Sequence, residues 1–163
     1  MMKPVLFAFA LAALNGAGAT AQNASEIAQV KSGKSCPSCN LFQAELGYRD
    51  IKGLNLSGSR LRQSDMSLST FDDSNFSGAD LSVSNLFGTR FNRCDLSNTN
   101  LESATLVGAY LGSSSLSGAN MSGANISGAE LQLAKGLTQS QLNSACGDAA
   151  TRLPAGLSVP RCR

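Results

Sequence analysis

The stretch Ser117-Gly118-Ala119-Asn120-Met121-Ser122-Gly123-Ala124-Asn125-Ile126 spells one five-residue word twice, Ser-Gly-Ala-Asn followed by a large apolar residue. The beat continues outward in both directions. Every fifth residue from Leu41 to Leu131 is large and apolar, without a break or an insertion, passing through Ile51, Leu61, Phe71, Leu81, Phe91 and Leu111. The residue two before each of these centres is small from Ser59 to Ala129, with Ser74, Cys94 and Ala124 as examples. Asp or Asn often precedes the centre directly, and Gly often stands two after it.

Neither standard period fits. A helix face repeats at 3.6 residues and a half-buried strand at 2. One large and one small inward residue in every five suit a coil of short straight sides and tight corners, with Gly and Asn supplying the turn conformations. Such a word cannot bury its large side chain alone, so neighbours must stack into a continuous core. That order sets the chain apart from disorder, despite a composition rich in Ser, Asn and Gly.

The word resembles the A-[D/N]-L-x-x repeat of the pentapeptide-repeat family, and the tail Gly136 to Cys146 is similar to those of its exported bacterial members. The resemblance spans residues 41–133. It implies an all-β fold, a right-handed quadrilateral β-helix with four pentapeptides to each 20-residue coil and about five coils. Arg49 and Leu54 depart from the pattern, because both stand where a small inward residue belongs. A buried unpaired guanidinium is costly, so Arg49 is expected at the open mouth of the first coil. Regular coiling is then expected from near Ile51, after a looser first turn holding Leu41 and Leu46.

Both flanks of the repeat are legible. Residues 1–21 read as a signal peptide: Lys3, an apolar run from Val5 to Leu14, and a small-x-small end at Ala19-Thr20-Ala21. The apolar run is too short to span a bilayer, so export to the periplasm or beyond is expected, without membrane insertion. Residues 22–40 form an N-terminal linker and cap containing Cys36-Pro37-Ser38-Cys39. Residues 134–163 form a C-terminal helix and tail, since a solenoid needs each open end capped. There Thr138 and Gln141 match a capping box, Leu137 and Leu142 a hydrophobic staple, and Gly147 a helix stop.

With a 20-residue coil the outward positions sort into four faces. The face of Leu46, Met66, Leu86 and Leu106 carries Tyr48, Leu68, Phe87 and Val107 outward, one apolar residue per coil. Contiguous exposed apolar surface marks a contact site for a partner protein or surface, unless the chain's own termini fold over it. The Ile51 face stacks Lys52 over Asp72 and Asp73 under Arg93, read as register-setting pairs. Arg60 and Arg62 stand close together on the Leu61 face, and the Leu56 face is polar.

Five cysteines remain. Cys94 holds a small inward position and reads as a buried free thiol. Cys146 and Cys162 read as a disulfide tying the tail to the cap, and Cys36 and Cys39 as a local disulfide at the N-terminal cap. The alternative for Cys36 and Cys39 is thiol-redox chemistry or a metal site. The first lacks a βαβ context, and the second needs two more ligands in a chain without His.

The expected function is non-enzymatic. No His supplies a general base, and no glycine-rich phosphate loop breaks the five-residue beat, so no catalytic, cofactor or metal residues are assigned. The Asn-x-Ser sequons at Asn55, Asn75, Asn120 and Asn125 are products of the repeat word. After loss of Lys3 the charge is 13 − 1 = 12 basic against 11 acidic residues, which disfavours nucleic-acid capture. The resemblance also admits a DNA-mimicking topoisomerase inhibitor, an activity of some family members, but a mimic should be strongly acidic. An exported interaction module is the main expectation, and the oligomeric state stays open.

Overall fold

Four columns of parallel bridges, each advancing by 20 residues, define the architecture in the computed structural model, which describes residues 21–163. The leader expected at 1–21 lies outside the described residues, Ala21 excepted. One column runs Asn40, Arg60, Asp80, Asn100, Asn120, and another Glu45, Asp65, Asn85, Thr105, Asn125. The remaining two start at Asp50 and Asn55. A constant offset of 20 shared by four interleaved columns is a square coil with one pentapeptide per side.

The Phe76 repeat shows how each word folds. Asn75 N donates to Leu54 O (2.8 Å), Phe76 N to Asp95 O (2.7 Å) and Gly78 N to Ser97 O (2.9 Å), so each side bonds to the coil before and the coil after. Ala79 N donates to Phe76 O (2.9 Å) and closes a turn at the corner. The third residue of that turn has positive φ at every corner from Ser38 to Gly128, which explains why glycine often stands two after a centre. The Asp or Asn before the centre has its own task. Asn75 Oδ1 accepts from Ser77 N (2.8 Å), and Asp95 Oδ1 from Ser97 N (2.9 Å), forming Asx turns that set up the corner.

All the centres are buried, and Phe71, Phe76 and Phe91 form an aromatic cluster in the middle of the core. Phe71 and Phe91 stack at 6.2 Å, and Phe76 meets both edge-on at 5.6 and 5.5 Å. The small inward positions are often hydroxyls, and most find partners. Ser69 Oγ donates to Leu46 O (2.7 Å), Thr89 Oγ1 to Met66 O (2.8 Å) and Thr99 Oγ1 to Leu96 O (2.7 Å).

The N-terminal end differs from expectation. Cys36 N donates to Asn55 O (2.9 Å) and Ser38 N to Ser57 O (2.8 Å), so the coil begins at Cys36, inside the stretch read as linker. Cys36 occupies a centre and Cys39 a small inward position. The bridges Asn40–Arg60 and Glu45–Asp65 make the first turn regular, not loose. Helix α1 (Ala24–Lys31) is what closes it. Asn23 caps α1 by accepting from Glu26 N, while Ile27 and Val30 are buried in the core. Leu54 is buried in the core at 4% exposure, and Arg49 is half-buried with its Nε buried and unpartnered.

At the other end, α2 (Gln139–Asn143) carries the expected capping box between Thr138 and Gln141 and buries Leu142, with Leu137 packed against the core. Gln141 Nε2 donates to Leu116 O (2.8 Å) and Ala119 O (2.9 Å), capping the last regular turn of that side. Gly147 is not the stop. The helix ends at Ser144, because Cys146 rejoins the ladder, donating to Ala124 O (2.9 Å) and accepting from Ile126 N (2.8 Å). A Cβ at Gly147 would lie 2.7 Å from Thr151 Oγ1 and 2.8 Å from Val159 Cγ1, so a side chain there would push the tail residues aside. Arg152 pairs with Glu130 and Arg161 with Gly147, so the tail supplies an irregular last coil.

Candidate functional site

The corner between the Leu46 and Ile51 faces gathers the outward apolar residues. Tyr48 and Leu68 are third turn residues with φ of 58° and 54°, a conformation that holds their side chains off the core. Phe87 and Val107 are second turn residues one and two coils further on. The four follow one another through the ladder. Leu68 N donates to Phe87 O (2.8 Å) and Gly88 N to Val107 O (2.9 Å). Leu68 reaches toward Gly88, where a Cβ would come within 2.7 Å of Leu68 Cδ2.

With both caps in place Tyr48 is 78% exposed, Leu68 48% and Phe87 46%, while Val107 is half-buried. Among the described residues, neither α1 nor the tail covers this corner. Exposed Val83 and Leu133 stand singly on other faces.

The neighbouring face carries the charge. Arg93 Nε and Nη2 grip the two oxygens of Asp73 at 2.6 and 2.7 Å, which holds the Asp73 carboxyl below its usual range and raises Arg93. Asp72 is buried and accepts from Arg90 Nη2 (2.8 Å) and Asn92 N (3.0 Å). Lys52 does not stack on Asp72 as expected. Its flexible chain turns back to Asp50 of its own repeat at 3.3 Å. Arg90 lies over the Tyr110 ring at 5.9 Å, and Arg60 over Phe42 at 4.7 Å, while Arg62 is exposed.

Cys36 is bonded to Cys39 and Cys146 to Cys162. The first bond is buried in the capped end, with Cys36 2% and Cys39 9% exposed. Cys94 is free, with Sγ 3.0 Å from Phe71 O, and burial pushes its thiol up to about 12. Among the described residues no three Cys, Asp or Glu side chains converge as a metal site. The feature missed in the sequence is α1. Asn23 followed three residues later by Glu26, with Ile27 and Val30 spaced for one helix face, was its signal.

A family model described as "Pentapeptide repeats" matches the chain in eight copies, over residues 39–78, 50–88, 84–120 and 104–135. No curated protein matches. Among solved structures, the pentapeptide repeat protein Rfr23 from the cyanobacterium Cyanothece 51142 is 21% identical, with 79% of this chain and 97% of that one covered and a TM-score of 0.44. A pentapeptide repeat protein from the Arabidopsis thaliana thylakoid lumen is 28% identical over 65% and 83% of the two chains, with a TM-score of 0.37. QnrB1, a plasmid-mediated fluoroquinolone resistance protein, is 21% identical over 73% and 70%, with a TM-score of 0.28.

Proposed function

This chain belongs to the pentapeptide-repeat family, whose fold is a right-handed four-sided β-helix, and from that premise we propose that it is an exported, non-enzymatic module docking a partner along one corner of the rod. The corner of Tyr48, Leu68, Phe87 and Val107 carries the proposal, since it is apolar, continuous across coils and uncovered by either cap. The flanking charges favour a macromolecular partner over a small ligand. They are spent on intramolecular pairs such as Arg93–Asp73 and Arg90–Asp72, which leaves the corner as the adhesive element.

Export is supported by Lys3 and the apolar run after it, together with two disulfides of a kind that persists in oxidising compartments. Redox work by Cys36 and Cys39 is disfavoured by their burial beneath α1, out of reach of an attacking thiolate. A DNA-mimicking topoisomerase inhibitor needs a face dense in free carboxylates, whereas Asp72 and Asp73 are neutralised by Arg90 and Arg93.

The test is affinity capture from the envelope fraction of the producing cell, using the full chain and its Leu68→Ser/Phe87→Ser variant. The proposal expects a bound species with the first that is absent with the second, at unchanged thermal midpoint. Equal capture by both would sink it.

A further inference from the structure

The two disulfides sit in opposite surroundings. Cys36 and Cys39 are sealed into the N-terminal end of the core. Cys146 and Cys162 are both half-buried, and Cys162 lines a surface cleft of about 470 Å³ together with Arg161 and the loop 147–150. Thiol–disulfide exchange begins when a thiolate reaches a disulfide sulfur, and of the two bonds only this one borders a cleft. Charge favours the approach. Arg161 in the cleft wall and Arg163 beyond it are exposed and form no salt bridge among the described residues, so their positive charge is free to draw and stabilise a thiolate. Asp148, the opposing charge at the cleft, is occupied by the backbone N–H groups of Gly128, Ala150 and Thr151.

This bond holds a sparsely anchored segment. Arg152 N donates to Ala129 O (2.9 Å), and Arg152 O accepts from Leu131 N (2.7 Å). Gly147 N donates to Pro160 O (2.8 Å) and Cys162 N to Gly147 O (3.0 Å). Gln139 Nε2 donates to Ser158 O (2.9 Å), and Gln139 Oε1 accepts from Ser158 N (3.1 Å). Leu153, Leu157 and Val159 are only partly buried against the core, and Pro154 and Pro160 bring no N–H. A segment with so few bonds and so little buried apolar surface opens locally unless it is tied down. Closing a loop of 16 residues favours the closed arrangement by about a hundredfold.

We infer that Cys146–Cys162 is a redox latch: a dithiol reductant opens it in the folded protein, releasing residues 148–163 and uncovering the coil edge at Ala129 and Leu131, while Cys36–Cys39 stays closed. Exposed disulfides are the labile ones, and a bond that fastens a weakly held segment turns its own reduction into a change of shape. The latch does not rest on the docking corner, which the tail leaves uncovered whether the bond is closed or open.

The exchange runs in two steps. One thiolate of the dithiol attacks Cys162 Sγ, the Cys146–Cys162 bond breaks, a mixed disulfide forms at Cys162, and Cys146 leaves as a thiolate that takes a proton from water. The second thiolate of the reductant then attacks its own sulfur in the mixed disulfide and expels Cys162, which is protonated in turn. Two electrons pass to the cysteine pair, and the reductant departs as its disulfide.

The test treats the folded full chain with dithiothreitol, blocks thiols with N-ethylmaleimide at intervals, maps the labelled cysteines by peptide mass, and follows amide exchange by NMR. Cys146 and Cys162 should be labelled at least about tenfold faster than Cys36 and Cys39. Exchange at Leu131, Arg152 and Cys162 should rise by about a hundredfold on reduction, with Phe76 unchanged. Cys146→Ser/Cys162→Ser should show the fast exchange without reductant and no response to it. Equal labelling of the two pairs would mean that reduction waits for global unfolding, and reduction with Leu131 and Arg152 still protected would mean that the tail holds without the bond. Either result overturns the inference, and both are read in the unsubstituted chain.

Discussion

At Val83 the repeat asks for a conformation the residue resists. Its φ of 57° lies in the left-handed region, where a β-branched side chain crowds the backbone, while Gly78 and Gly88 fill the same corner position at neighbouring turns. Val83→Gly should relieve a strain of about 1–2 kcal/mol, partly offset by the entropy of glycine, and raise the urea midpoint. An unchanged or lower midpoint would show that Val83 earns its place by packing. Cys94 gives a second residue-scale expectation. With its thiol buried and raised to about 12, the native protein should take up no alkylating reagent at pH 8, and the unfolded chain should take up one equivalent at Cys94. Intact-mass counting under both conditions checks this. Much was legible at this scale, because a strict period assigns every residue to inside, corner or face. What escaped were side-chain choices. The 20-residue column put Lys52 over Asp72, but a long flexible side chain also reaches Asp50 two residues back, and spacing cannot decide between them.

The elements that the sequence left obscure are those that break the period. The repeat word stops being recognisable before Leu41, so Cys36 and Cys39 looked like a linker motif, although the backbone already coils there. Helix α1 carries only two buried apolar residues, too few to stand out beside nineteen repeat centres. Val30 is fully buried, and Val30→Ala should cost about 2 kcal/mol by opening a cavity under the lid. The disulfides staple both ends unequally. Cys146–Cys162 spans 16 residues and should contribute about 3 kcal/mol by loop entropy, whereas Cys36–Cys39 spans 3 and should contribute roughly half of that. Denaturant unfolding of the two Cys→Ser pairs tests that order. The C-terminal loop should also respond to acid. The Asp148 carboxylate accepts from the backbone N–H of Gly128, Ala150 and Thr151, with Gly128 the strongest influence, and its pKa falls below the ordinary 3.8. A depressed folded pKa means the contribution is present above 3.8 and lost as pH falls through the lower folded value. Exchange protection at Gly128 and Thr151 should therefore weaken on acidification, and Asp148→Ala should show the same weakening at pH 7.

As a whole the molecule is a one-dimensional stack whose middle needs only its repeat and whose ends need helices and disulfides. The same regularity that made the fold readable hides the function, because a repeat word specifies its inward residues and leaves the outward ones free. The apolar corner is visible in the sequence only as a 20-residue column of outward residues, and its exposure depends on where the caps fall. The measurement that bears most directly on this account is photo-crosslinking in the producing cell. A benzoyl-phenylalanine is placed at Phe87 on the apolar corner and, in a second strain, at the exposed Asn98 on the opposite face. The account predicts one discrete adduct from position 87 and none from position 98. No adduct from position 87, or the same adduct from both, would contradict a docking corner.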